Sequence, residues 1–401
     1  GIGQFNTMNA WAMDTVLDAA ERNRIRINYV IHNHGKFGGL EDGEWEFNPF
    51  NVKNGGYLAL PEEYFSDPRA LEAFRKLMRY IVARWGYSPS IFSWELWSEL
   101  DLTGSKRGNH MRPEVVDWHR LMGRSIKEMD PYDHMITTHV CGDYTHHNRD
   151  IVSLPDIDFA SVDAYHDSPD PTAIVPLMAR TADFGNALDK PVLITEFGGS
   201  PFAQSARHLE EALHAGLWAS PAVPLGGAPL FWWWQLIDEE NFYPMFAGVS
   251  RFMEGEDRRG PDMLMAAPEL LLNDAPASGL TVQCLKNKER AFGWIYRPGS
   301  VKDPSDVPSI TGVILKMKGM APGRFRVEFW DTRAGKAVAQ FSIPSRDGVV
   351  SVGVPAFERD IAFKVRDQPP SPEGFRLRAA TARQVGGPRR PEIEAQKPIT
   401  P

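Results

Sequence analysis

Apolar residues recur along this chain at two different periods, and the change of period divides it. Over residues 9–23, Trp11, Val16, Leu17 and Ala20 fall at helical spacing and predict an amphipathic helix. Residues 25–31 (IRINYVI) then read as a buried strand. The alternation repeats. Helices are predicted over 68–85, where Leu71, Phe74, Leu77, Met78 and Ile81 share a stripe, and over 113–129, 172–188 and 206–219. Short apolar strands are predicted at 91–97, 135–140, 159–165, 191–197 and 229–235. Short apolar runs alternating with amphipathic helices are the pattern of parallel βα units. After residue 276 the period shortens. Seven β-rich segments, at 280–287, 290–298, 310–318, 323–331, 337–344, 348–355 and 360–366, are separated by turn signals and carry no helix between them, which predicts a β-sandwich.

Six strand–helix units occupy roughly residues 25–255. A closed (β/α)8 barrel spends about 31 residues on each of eight units. The expected fold is therefore a TIM-type (β/α)8 barrel over 1–255 that lacks its first two βα units. A linker at 256–276 and an all-β sandwich at 277–366 follow. The Pro-, Arg- and Gly-rich segment 367–401 reads as a disordered tail.

Composition narrows the function classes. The 401 residues are 42% hydrophobic and 24% charged, ordinary for a chain that buries a core. A net charge of −8 argues against a nucleic-acid partner bound through its phosphates. No run approaches the ~18 apolar residues that span a bilayer, so no membrane partner is expected. The two cysteines, Cys141 and Cys284, form neither a disulfide framework nor a zinc motif. Nothing in the sequence speaks to oligomeric state. The chain shows no signal peptide.

Barrel enzymes carry their chemistry at the C-terminal ends of the strands. In chain order those ends bring His32 and His34, then Ser98 and Glu99 with Asp101 beyond, then Cys141 and Asp143. Asp163, Tyr165 and His166, then Glu196, and finally Trp232, Trp234 and Asp238 complete the series. Glu99 and Glu196 stand out, because a carboxylate at the end of an apolar strand is costly to bury without a purpose or a partner. They lie 97 residues apart, close to three βα units, and so face each other across the barrel mouth. Two carboxyls so placed can divide glycoside hydrolysis between a proton donor and a nucleophile, at about 5–5.5 Å for retention. Glu95, two positions deeper on its strand, reads as structural. A salt-bridged structural role for either end-of-strand Glu is the plainer alternative.

WELWSEL (94–100), ITEFGGS (194–200) and FWWWQLID (231–238) together resemble the clan A glycoside hydrolases, most nearly the cellulase and mannanase type of family 5 with an accessory β-sandwich. The resemblance covers roughly residues 1–255, and RVEFWDTRAGKAV resembles the attached sandwich. It implies that Glu99 is the acid/base and Glu196 the nucleophile. It implies further that Tyr165 hydrogen-bonds the nucleophile, that Trp232 or Trp234 floors the cleavage subsite, and that His32 or His34 is the histidine after strand 3. Trp97, Ser98, Asp163 and His34 complete the expected substrate-binding set. The implied partner is a carbohydrate substrate, the implied location secreted or periplasmic, and no cofactor or metal is called for. Three departures stand against the pattern. Ser98 replaces the asparagine that binds the sugar 2-hydroxyl, Asp163 replaces a histidine, and the strand 2 arginine is not found. The expected function is a retaining β-glycosidase acting on β-linked poly- or oligosaccharides. A catalytically degenerate carbohydrate-binding barrel is the second class. A metal-dependent amidohydrolase, built on His32-Asn33-His34 with His139, His166 and Asp238, is the third. The long insertion 35–65, with Trp45, Phe47, Asn48, Phe50, Asn51, Gly55 and Gly56, is either a wall of the cleft or a cap on the barrel.

Overall fold

A computed structural model describes residues 1–39, 41–200, 204–299 and 307–368. Helix α1 (Thr7–Asn23) leads into β1 (Ile27–Asn33), α2 (Pro68–Trp85), β2 (Ile91–Ser98) and α3 (Pro113–Met129). Helix α2 starts where Asp67 caps its first turn and Pro68 presets φ at the first helical position, and α3 likewise opens on Pro113. Next come β3 (Met135–Thr137), β4 (His139–Val140), α4 (Arg149–Val152), β5 (Ala160–Asp163), α5 (Ile174–Asn186), β6 (Val192–Glu196) and α6 (Ala206–Ala219). The expected strand 135–140 is thus broken at Thr138, whose hydroxyl lies 3.2 Å from Nε2 of His119 on α3.

All pairings among these strands are parallel. One sheet runs β1-β2-β3 and the other β4-β5-β6, in chain order, as successive right-handed βα crossovers require. Strand β2 is buried on both faces, whereas β1 is only half-buried, with a single strand neighbour among the described residues. The expected helix forms over 7–23, and half of its expected stripe turns inward. Ala10, Leu17 and Ala20 are buried, and Trp11 and Val16 are exposed.

The expected strand 229–235 shrinks to a single parallel bridge between Phe197 and Phe231. Trp234 instead opens the short helix α7 (Trp234–Glu239), followed by α8 (Tyr243–Met253). A tryptophan run is apolar enough to read as a strand, yet Trp232 and Trp234 are 47% and 62% exposed, so no burial holds the segment extended.

The expected linker at 256–276 is also corrected, because β7 (Leu264–Ala266), β8 (Glu269–Leu272) and β9 (Ala275–Pro276) lie within it. They join β10 (Thr281–Lys286), β11 (Arg290–Tyr296), β12 (Val313–Lys318), β13 (Gly323–Asp331), β14 (Lys336–Ser345), β15 (Val349–Gly353) and β16 (Asp360–Asp367). A six-stranded antiparallel sheet, β14-β13-β16-β11-β10-β7, faces a four-stranded one, β15-β12-β8-β9. One apolar core fills the space between them. A second core is shared with the parallel region, where Leu285, Phe292, Trp294 and Ala362 pack with Trp218, Val249 and Phe252. The two regions therefore bury surface against each other and do not hang on a flexible tether. The expected tail lies, beyond residue 368, outside the described residues.

Candidate active site

Glu99 follows the last residue of β2 and adopts left-handed backbone geometry, φ 53° and ψ 52°. A non-glycine residue held there stores strain of roughly 1–3 kcal/mol, and such residues cluster at functional sites. Two contacts hold it. Its backbone N–H donates to Nδ1 of His139 at 3.2 Å, and its carbonyl accepts from Leu102 N–H at 3.0 Å. Its carboxylate lies 2.7 Å from Nδ1 of His34, while Nε2 of that ring faces Asp42 at 3.1 Å. Burial alone would raise the Glu99 pKa, but the close contact and charge of His34 outweigh it and hold Glu99 below the usual carboxylate range.

Glu196 ends β6. Tyr165 donates to its Oε2 at 3.1 Å. Burial, followed by the negative charge of Asp163, pushes Glu196 up to about 8. His139 and Tyr165 act in the opposite sense and are outweighed. No lysine or arginine pairs with Glu196 among the described residues. The backbone after it depends on glycine. Gly198 has φ 149°, and a Cβ there would lie 2.6 Å from the Trp233 indole, whose N–H donates to the Gly198 carbonyl at 2.8 Å.

Between the two glutamates lies a pair that sequence reasoning did not join. His139 on β4 donates from Nε2 to Asp163 Oδ1 on β5 at 2.6 Å, and both residues are fully buried. Asp163, Glu95 and Glu196 together push the His139 imidazole up to about 10 against the effect of burial, while the Glu99 N–H aimed at Nδ1 opposes a second proton. Burial raises Asp163 to about 6 even with His139 beside it. Asp163 brings a carboxylate oxygen within 4.8 Å of a Glu196 oxygen and a His139 nitrogen, and within 4.8 Å of a Glu99 oxygen and Cys141 Sγ. Among the described residues these are the two groups that could hold a metal ion.

The remaining expected residues divide. Ser98 Oγ lies 3.4 Å from His139 Nδ1, so it is at the site. His34, not His32, reaches Glu99. His32 is buried at 2.8 Å from the Tyr64 hydroxyl, and burial holds its imidazole at about 3. Trp97 is a correction to the expected substrate-binding set. It has no exposed surface and packs between His32, Phe37, Phe65 and Trp118, where a sugar cannot reach it. Glu95 is buried, accepts from the Asn28 amide and lies 3.9 Å from His139, as a structural carboxyl would. The amidohydrolase constellation does not assemble: among the described residues no metal-ligand group joins His32, His34, His166 or Asp238. The insertion acts mainly as a cap, with Trp45, Phe50 and Tyr57 packed on the core. It also supplies Asp42 to His34, and Phe47 is left exposed. Sequence reasoning placed His139 only in the metal-dependent alternative and not beside the glutamates, because it precedes the expected strand end; strand β4 begins at His139 after the break at Thr138. No sequence signal marked Asp42.

No family model matches the chain. Curated relatives do. A probable mannan endo-1,4-beta-mannosidase A-2 of Aspergillus terreus is 26% identical over 276 residues, 61% of either chain. Mannan endo-1,4-beta-mannosidase 1 of Arabidopsis thaliana is 26% identical over 227 residues, 47% of this chain and 52% of the relative. The chain resembles clan A glycoside hydrolases. It spans about three fifths of the length of the first of these relatives. Among solved structures, the endo-beta-1,4-mannanase of Thermotoga petrophila superposes with a TM-score of 0.42 at 14% identity, covering 85% of this chain and 75% of its own.

Proposed function

We propose that this chain carries the catalytic carboxylates of a retaining β-glycosidase acting on a β-1,4-linked mannan-type polysaccharide. The observation that carries this reading is the convergence of Glu99, Asp163 and Glu196 from three strand ends, with Tyr165 donating to Glu196. Glu196 attacks the anomeric carbon as Glu99 protonates the departing glycosidic oxygen. Glu99 then takes a proton from water, which releases the sugar from Glu196 with its original configuration. The exposed Trp232 and Trp234 rings offer flat faces for sugar rings. Mannan is chosen because the relatives' names specify it.

One feature of the site favours a second reading, in which the two glutamates exchange roles. In the free site His34 keeps Glu99 ionised while Glu196 holds its proton to about pH 8, the reverse of what attack by Glu196 needs. With Glu196 as nucleophile, the productive form is the minority tautomer of a site that holds one shared proton. Both readings give the same bell-shaped dependence of kcat/KM on pH, so a pH profile cannot choose between them.

Azide can. Glu196→Ala and Glu99→Ala are assayed on an activated aryl β-mannoside with azide added, and the glycosyl azide anomer is read by NMR. An inverted azide from Glu196→Ala and a retained one from Glu99→Ala support the first assignment; the opposite pattern supports exchange. Absence of turnover by the parent chain on mannan, glucomannan, xylan and β-glucan would sink both and leave a carbohydrate-binding barrel, in keeping with Ser98 in place of asparagine.

A further inference from the structure

Three consecutive strand ends set one sulfur and two carboxylates around a common point. Glu99 follows β2, Cys141 follows β4 and Asp163 ends β5, and one ligand atom from each lies within 4.8 Å of the others. Cys141 is half-buried, with its Sγ within 4.8 Å of a Glu99 carboxylate oxygen. Its backbone is fixed by its own N–H, which donates to Asp101 at 2.7 Å. Asp163 has no exposed surface. Its Oδ1 is taken by His139, and its Oδ2 is buried with no hydrogen-bond partner among the described residues. A buried carboxylate oxygen left unsatisfied costs free energy that a cation would recover. Neither the proposed hydrolysis nor the packing uses the thiol.

We propose that Glu99, Cys141 and Asp163 form a binding site for a thiophilic divalent cation of the zinc class, and that its occupation switches the active site off. One thiolate and two carboxylates, with water in a fourth position, suit a tetrahedral ion of borderline softness and do not suit magnesium or calcium. Binding exchanges the S–H bond for an S–metal bond and releases the thiol proton to solvent. Because the thiol proton must leave for the S–metal bond to form, affinity rises with pH. His34 and His139 offset the negative charge of the ligand set. Once Glu99 coordinates the ion it can neither donate nor accept the catalytic proton. This last consequence rests on the proposed hydrolase activity; the binding itself does not.

Metal-stripped full chain is titrated with Co2+ and, in competition with a chromophoric chelator, with Zn2+. The expected result is a thiolate-to-cobalt charge-transfer absorption in the near ultraviolet that saturates at one equivalent. It is absent from Cys141→Ser and retained in Cys284→Ser, whose sulfur is buried in the sandwich. Zinc affinity falls by about tenfold or more in Cys141→Ser and in the nearly isosteric Glu99→Gln. Should Cys141→Ser not fold, protection of Cys141 from alkylation by zinc in the parent chain reads the same contact. No charge-transfer absorption at saturating cobalt, or absorption that survives in Cys141→Ser, overturns the site. Zinc is expected to stop turnover of an active preparation in step with site occupancy. Saturation of the absorption with undiminished turnover overturns the switch, and absorption in a preparation inactive on every glycan overturns the hydrolase reading while leaving the site standing.

Discussion

At the seam between the parallel region and the sandwich, the side chains of Glu256, Glu328 and Asp360 expose little surface, and each meets a basic group. At the strand ends Asp163 is buried, Glu99 and Glu196 are half-buried, and imidazoles are the basic groups that face them. Lys364, itself buried on β16, lies 3.0 Å from Glu256 and 3.6 Å from Glu328 and donates to the Phe252 carbonyl at 2.9 Å, with Arg366 also on Glu256. Asp360 takes a bond from His214 of α6 at 3.2 Å, the Trp294 indole at 3.0 Å and the Thr332 hydroxyl. Burial raises its pKa, but His214, Arg333 and Thr332 more than reverse this and hold it well below the usual range. Glu196 and Asp163, with less compensation, move the other way. The same residue type is thus a structural tie where donors saturate it and a titratable group where they do not.

The largest test of this contrast is Lys364→Met. It removes the buried cation shared by Glu256 and Glu328, leaving only Arg366 on Glu256 and Arg326 on Glu328, so unfolding free energy should fall by about 3 kcal/mol, the low end for a broken buried pair. Denaturant melts would read the loss, while activity per folded molecule stays unchanged. A melt indistinguishable from the parent would show that the seam is not held by its charges.

Glu196→Gln should act in the opposite direction. The folded state raises this carboxyl from 4.5 to about 8, so it favours the protonated form. Its contribution to stability is complete below pH 4.5 and is lost as the pH climbs through 8. The neutral amide escapes that loss. The variant should therefore be inactive yet more stable than the parent at pH 9, by a few kcal/mol, with the gap closing toward pH 4. Equal melting temperatures at both pH values would mean that the site does not strain its own carboxyl.

His34→Asn removes the group that holds Glu99 low, and the acid limb of kcat/KM should move to higher pH while the alkaline limb near 8 stays in place. Movement of both limbs together would point to a general loss of site structure. The smallest effect is expected at the rim. Trp234→Ala should raise KM about threefold to tenfold with little change in kcat, because an exposed ring contributes stacking and nothing to the proton transfers.

Much of this contrast was legible along the chain, and unevenly so. Helices 68–85 and 113–129 appear with the bounds their patterns predict, since an apolar stripe of helical period and a proline at the first position are local signals. Glu99, Glu196 and Tyr165 were legible because parallel strands all end on the same side of their sheet. Trp97 was misassigned for the complementary reason. It neighbours Ser98 and Glu99, but side chains of a strand alternate in direction, and only packing says which side is core. The strands at 264–266, 269–272 and 275–276 were missed because two to four residues carry too little pattern to stand out from a polar linker. Their extended form comes from pairing of β7 with β10, of β8 with β12 and of β9 with β8.

Sequence by itself determined the order of elements, the switch from parallel units to antiparallel strands, and which carboxylates stand at strand ends, because each is a matter of local period and spacing. The tertiary structure alone decided that His34 rather than His32 meets Glu99, that His139 and Asp163 form one buried pair, and that Cys141 shares their space. It also decided which of the two glutamates keeps its proton, because proton affinity in a buried site is set by the charges and donors within a few ångströms, and those arrive from residues roughly 30 to 100 positions away.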